Sequence, residues 1–264
     1  MIRASSQRAG GLSAAVVLAL LLQGCGSTEG PDSVDSAETE SSDSDGTESA
    51  DYVINLMRQG AESFDGSSAY DSLVGALPLV TYRGADGVVG RVSSSVVLGR
   101  FESADAGLGF VANVESDTEE VTEVAFDDPA AQWRTIHAGF RQTEVVAGAD
   151  LAGDGSLTLG FAVGTQIDAT RFGESLHALG DVLVFVTEDS PVFAYEPGLL
   201  SVAVDGALVA IIDESGVLAL PFVAPARAEN LLADAPTLEQ LRIAAQAPET
   251  MVDLDALGRP VTSG

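Results

Sequence analysis

Apolar positions along the chain fall into three textures. Leu12–Leu22 is one nearly unbroken apolar run, whereas residues 26–51 hold almost no large apolar side chain. From Leu77 onward, short β-branched stretches are broken by Gly, Asp and Pro, the pattern of strands joined by tight turns. It predicts strands at Leu77–Arg83, Val88–Ser93, Ser95–Ser103, Gly109–Glu115 and Val121–Phe126. In Trp133–Val146, Ile136, Ala138 and Phe140 share one face, with Thr135, His137, Arg141 and Thr143 on the other, so this strand is half buried. Leu157, Leu159, Phe161 and Val163 repeat the alternation, and Ala149–Ser156 supplies the joining turn. Val182–Thr187 is apolar on both faces, which predicts a central strand covered on each side, and Pro191–Tyr195 follows it.

Asp205-Gly206 lies between two β runs in Leu199–Ile212 and offers the two positive-φ positions of a type I′ turn. With a second turn at Asp213–Gly216, Leu199–Val223 is expected to form a three-stranded meander. Three helices are expected. Tyr52–Phe64 carries Val53, Leu56, Met57 and Phe64 at helical spacing, although Gly60 interrupts it. Asp168–Gly180 has an N-cap aspartate, an apolar face of Phe172, Leu176 and Leu179, and a closing glycine. Leu238–Gln246 follows Pro236 and the capping-box pattern Thr237-Leu-Glu-Gln240. The last dozen residues read as a loose tail. The fold class is mainly β: an antiparallel closed barrel or sandwich with a short internal helix and a C-terminal helix.

The run at Leu12–Leu22 is barely half the roughly 20 apolar residues that a spanning helix needs. Arg3 and Arg8 precede it and no acid does, the layout of a secretory signal. It ends at Leu22-Gln23-Gly24-Cys25, which resembles the lipobox of bacterial lipoprotein precursors. That resemblance covers the first twenty-five residues. It implies cleavage between Gly24 and Cys25 and diacylglyceryl transfer to the Cys25 thiol, and the two chains of that group meet the need of a stable anchor for more than one. Cys25 is the one cysteine in the sequence, so neither a disulfide nor a thiolate metal site is available to the body. The resulting expectation is a protein held on the extracytoplasmic face of a cell membrane, or on the periplasmic side if the cell has an outer membrane.

Cleavage there leaves 240 residues (264 less 24), enough for one large domain or two small ones. The formal net charge is −28, every basic residue is Arg, and removal of Arg3 and Arg8 makes the mature chain more acidic still. Such a surface repels nucleic acid and anionic headgroups, so the membrane is a partner only through the lipid. Gly26–Asp51 holds nine acids and no base, which predicts a disordered tether with an r.m.s. reach of about 28 Å. The organisation expected is a signal peptide at 1–24, the lipidated Cys25 and acidic tether at 25–51, a β domain at 52–224, and a helical C-terminal segment and tail at 225–264.

The order of β runs from Ser95 to Phe222 resembles uncharacterised bacterial secreted and lipid-anchored proteins with a small closed barrel of the OB-like or netrin/TIMP-like kind. Val97-Leu98-Gly99-Arg100 and Gly180-Asp181-Val182-Leu183-Val184-Phe185 carry the resemblance. It implies a fold and no activity. Inhibitor members of that group depend on disulfides and an N-terminal metal-chelating Cys, which this chain lacks once Cys25 is lipidated.

Chemistry-bearing motifs are few along the chain. His137 sits on the polar face of its strand without a second ligand at metal spacing, and a solvent-facing His is the simpler account. Gly173-Glu174-Ser175-Leu176-His177 departs from the nucleophile elbow at its fifth position, where His177 replaces Gly, and Ser175 would lie inside a helix. Asp150, Asp154 and Gly155 match part of a calcium loop, but Ala152 and Phe161 stand at two ligand positions, so a turn explains them better. Acidic pairs such as Asp127-Asp128, Glu119-Glu120 and Asp213-Glu214 abound, and nothing singles one out. No catalytic, cofactor-binding or metal-ligating residue is nominated, and no cofactor is expected; the site residues expected are Gly24 and Cys25. The reading is a non-enzymatic lipoprotein whose β domain binds a small ligand or an envelope protein. An envelope hydrolase or carbohydrate-active enzyme using carboxylates, and a structural assembly subunit, are the alternatives.

Overall fold

A computed structural model describes residues 45–62, 71–113, 120–188, 196 and 199–261. Gly24, Cys25, most of the expected tether and the expected strand at Pro191–Tyr195 lie outside the described residues. The chain is mainly β. An eight-stranded sheet contains β3 (Ser95–Asn113), β4 (Glu120–Ala125), β5 (Trp133–Gly148), β6 (Ser156–Val163), β7 (Val182–Thr187), β8 (Leu200–Val202), β9 (Val209–Ile212) and β10 (Leu218–Ala219). A three-stranded sheet contains β1 (Val80–Arg83), β2 (Val89–Gly90) and β11 (Thr250–Asp253). In the larger sheet, pairing runs β3–β5–β6–β8–β7 and returns to β3, so five strands follow one another round a ring. A barrel or sandwich of this kind fits the expected class, with one correction. The pairings are not all antiparallel: β6 runs parallel to β8, and β1 parallel to β11.

β7 is where the ring and the rest of the molecule meet. Its six side chains are all buried. Val182, Val184 and Val186 face the core inside the ring, where Phe101, Phe140, Phe161 and Phe172 make edge-to-face contacts with centroids 5.1–5.9 Å apart. Leu183 and Phe185 face a second core with Leu77, Leu218, Leu231 and Leu241. The expectation of a strand covered on both faces is therefore met. The second core is also what fastens the small sheet, α3 (Pro225–Leu232) and α4 (Leu238–Ala244) to the ring.

The three-stranded meander does not form. β8 and β9 never pair with each other; both lie antiparallel along one edge of β7, with Val186 opposite Val202 and Val184 opposite Val209. Residues 203–208 loop out between them. At the loop's base the Ala203 N–H donates to the Phe185 carbonyl and the Phe185 N–H donates to the Leu208 carbonyl. Val204, Asp205 and Gly206 all have positive φ (58°, 50° and 92°), one more than a two-residue type I′ turn requires. The local turn signal is real, but β7 offers both runs a fully buried partner, which outcompetes their pairing with each other. The second turn behaves as expected: Asp213 accepts from the Ser215 and Val217 N–H groups, and β9 pairs with β10. The hydrogen bond from the Ser215 hydroxyl first, then these backbone ones, hold the Asp213 carboxyl below its usual range.

Other boundaries shift for identifiable reasons. The runs expected as Ser95–Ser103 and Gly109–Glu115 are one strand, β3, which bends through register shifts, the last between Ala106 and Gly109, instead of stopping. α1 spans Asp45–Glu62, beginning before Tyr52 and continuing through Gly60, and it places Val53 and Met57 in the ring core. α2 (Ala169–His177) has the expected Asp168 cap, whose carboxylate accepts from the Arg171 N–H at 3.0 Å. The expected loose tail is not loose at its start. Asp253 closes β11, and the Asp255 carboxylate accepts from the Leu257 and Arg259 N–H groups and from Arg259 Nε. Those bonds, the Arg259 side chain first among them, bring its pKa down to about 2. The partner of β11 is β1, about 170 residues away in sequence, so no local pattern could reveal it.

Gly148 ends β5 at φ +85°, where a Cβ would overlap the Ser94 carbonyl and lie 2.8 Å from Pro78 Cγ. Gly148→Ala is expected to destabilise the chain by about 2 kcal/mol or more, since the left-handed conformation alone costs about 1–2 kcal/mol for an L-residue. Urea denaturation monitored by Trp133 fluorescence measures it, and an unchanged midpoint would refute the close approach.

Candidate functional site

A cleft of about 730 Å³ lies between the small sheet and the ring. On the small-sheet side Leu79, Thr81, Val89 and Arg91 line it; on the ring side, Ser94, Gly148, Thr187 and Glu188. Glu249, from the turn after α4, also lines it. Its position follows from the packing already described. β1 and β2 turn one face, with Tyr82, into the second core, leaving Thr81 and Arg91 on the other. The Tyr82 hydroxyl donates to the Gly75 carbonyl at 2.8 Å, and burial is the main reason its pKa is pushed up to about 12.

Charge inside the cleft is sparse and of both signs. Arg91 Nε donates to Thr81 Oγ1 at 3.2 Å, and its Nη2 stands 3.8 Å from a Glu249 carboxylate oxygen, with both side chains well exposed. The Glu188 N–H donates to Ser94 Oγ at 3.4 Å. Its carboxylate has no hydrogen-bond or ion-pair partner among the described residues. Thr187 is opposite Ser201 in the β7–β8 register, and directly opposed strand residues share a face. Ser201 is 2% exposed and its hydroxyl finds no partner among the described residues. A buried hydroxyl without a partner is uncommon in folded proteins; Ser201 itself does not line the cleft, whereas its register partner Thr187 does.

A second polar cluster lies on the outer face of β5. Glu196 Oε1 accepts from the Thr135 hydroxyl at 2.6 Å, and Glu196 Oε2 bonds His137 Nε2 at 2.5 Å. Thr135 Oγ1 also accepts from the Leu108 N–H at 2.9 Å, at the bend of β3. The Glu196 side chain is only 10% exposed and that of His137 31%. The cluster ties the chain just ahead of β8 to the ring. His137 is thus not the idle surface histidine its sequence context suggests. Glu196 could not be found from sequence, because it lies 59 residues from His137 and no local pattern links the two.

The remaining candidates have structural duties. Ser175 accepts from the Val53 N–H at 3.0 Å and is 1% exposed, so it joins α2 to α1. His177 Nδ1 contacts the Phe101 carbonyl at 2.8 Å. Asp150 accepts from Gln142 Nε2 and the Ala152 N–H, which lower its pKa, and Asp154 accepts from the Ser156 N–H. Asp128 accepts from the Ala130 N–H. Among the described residues no three His, Cys, Asp or Glu side chains converge as a metal site would need. No helix among them is long and apolar enough to cross a membrane. No protein-family model, curated protein or solved structure matches the chain.

Glu196→Ala removes the partner of His137 and the closer of the two acceptors of the Thr135 hydroxyl, the other being the Leu108 carbonyl at 3.4 Å, and is expected to cost about 1–3 kcal/mol. Glu196→Gln, which keeps an acceptor for Thr135, is expected to lose less. Thermal unfolding compares the two, and an Ala variant as stable as the parent would show that the clamp carries no load.

Proposed function

We propose that this is a lipid-anchored cell-envelope protein whose β domain is non-enzymatic and binds a small polar ligand in the cleft between its two sheets. The observation that carries the reading is the cleft itself. Its volume falls within the roughly 300–1,000 Å³ of small-molecule sites, although it is half open to solvent and its lining is more polar than apolar, which suits a polar ligand. It is bounded by ordered strands and holds a few polar groups without strong internal partners. The anchor rests on the lipobox-like Leu22-Gln23-Gly24-Cys25 and the acidic stretch behind it, which would hold the domain clear of the membrane.

The ten arginines after the signal add support of a different kind. Nine are engaged in identified contacts: Arg58 and Arg134 donate to carbonyls, Arg171 lies over the Tyr52 ring, and six others reach carboxylates. Arg227 is engaged as well. Positive charge is therefore spent within the fold, and no basic face is left for a polyanion. That favours a small ligand or a protein over nucleic acid.

Two measurements test the halves separately. Replacing Cys25 by Ala is expected to move the protein from the membrane fraction to the culture medium or periplasm; retention on the membrane would end the lipobox reading. A melting screen of the Cys25→Ala chain against glycans, peptidoglycan fragments, amino acids and metal ions is expected to yield a shift of about 5–10 °C for a ligand at 100 times its dissociation constant. A flat screen across all classes would count against the cleft and turn the search to protein partners.

A further inference from the structure

The cleft also carries information about what it binds, and the inference here rests on the reading of it as a ligand site. Arg91 is the least committed of the ion-paired arginines. Its carboxylate contact, at 3.8 Å, is longer than the closest contacts of Arg83, Arg100, Arg141, Arg242 and Arg259, which lie at 2.6–3.4 Å. Exposed pairs of this length contribute little and exchange readily. With Nε held by Thr81, the two Nη groups are oriented but not saturated, and a planar guanidinium in that state is suited to a carboxylate taken bidentately.

The ring side of the same cleft presents the opposite charge. Glu188 follows directly on β7, its backbone fixed by Ser94, and its carboxylate has no partner among the described residues.

The field of the whole molecule narrows the choice further. At a net charge of −28 the surface opposes an anion approaching from solution, and Glu188 and Glu249 sit at the cleft itself. A plain cation would gain from the field but would have no use for Arg91. A ligand with no net charge and one charge of each sign meets no such opposition and satisfies both walls. We propose that the cleft binds a small zwitterion, a free amino acid or short peptide, with its carboxylate on Arg91 and its ammonium on Glu188.

The test uses the full chain carrying Cys25→Ala, with trialanine, N-acetyl-trialanine, trialanine amide and maltotriose as probes. Calorimetry and backbone chemical shifts are recorded for the parent, Arg91→Gln and Glu188→Gln. Both side chains are exposed, and matching melting temperatures establish that the variants fold. Trialanine is expected to bind, and each cap to weaken it by about tenfold or more, the scale of one charge-assisted contact. The caps should then be selective. Amidation should cost nothing further in Arg91→Gln, and acetylation nothing further in Glu188→Gln. If the capped and free peptides bind equally, or only maltotriose shifts the cleft resonances, the zwitterion assignment is overturned while the cleft stands as a site. If no probe shifts any cleft residue, both fall.

Discussion

The structure depends on a strand that cannot be left exposed on any side. β7 has valines on one face, Leu183 and Phe185 on the other, and all six residues buried. Each such side chain contributes about 1.5–3 kcal/mol only when water is removed from it, so two separate cores are required. Its backbone makes a parallel demand, because buried N–H and C=O groups must be paired. β3 meets that demand on one edge, and β8 and β9 share the other. The ring is one consequence: β8 can reach β7 and also run beside β6 only if the sheet comes round on itself. The attachment of the small sheet and the C-terminal helices is the other, since they form the lid of the second core.

The cleft belongs to the same arrangement. Where one core stops and the other begins, the small sheet leans on the end of β5 without merging with the ring, and a gap remains between two rigid walls. Gly148 sets how closely those walls approach, with the Ser94 carbonyl and Pro78 packed against a position that has no side chain. Arg91 and Glu188 face the gap because each follows directly on a strand, β2 and β7, whose course is fixed by burial elsewhere. Glu196 plays a complementary part on the outer surface. By holding Thr135 and His137 together it fixes the chain ahead of β8, the short strand on which closure of the ring depends.

Charge shapes what such a surface can do. With 40 acids against 12 bases the chain keeps few cations, and the fold uses them for specific tasks: Arg100 to Asp181, Arg242 to Glu144, Arg58 to the Pro221 carbonyl. The exposed pairs add little stability individually. Their larger effect is to occupy positive charge, and among the arginine–carboxylate pairs Arg91, in the cleft, has the longest closest contact, at 3.8 Å.

Much of this was legible in the residues alone. The alternation in Trp133–Val146 and Leu157–Val163, the doubly apolar Val182–Thr187, and the caps at Asp168 and Thr237 are local patterns, and burial and hydrogen bonding act on them locally, so the mainly β class and those elements followed directly. Asp213 made its turn for the same reason. The sequence could not decide which strands pair, because pairing is a competition between distant partners: Asp205-Gly206 advertised a hairpin, yet both flanking runs gained more by lying along β7. It could not show that Thr250–Asp253 joins β1, nor that Glu196 meets His137, nor that Arg91 and Glu188 share a cleft. Those contacts join residues about 60 to 170 positions apart, and they exist only because tertiary burial brings their strands together.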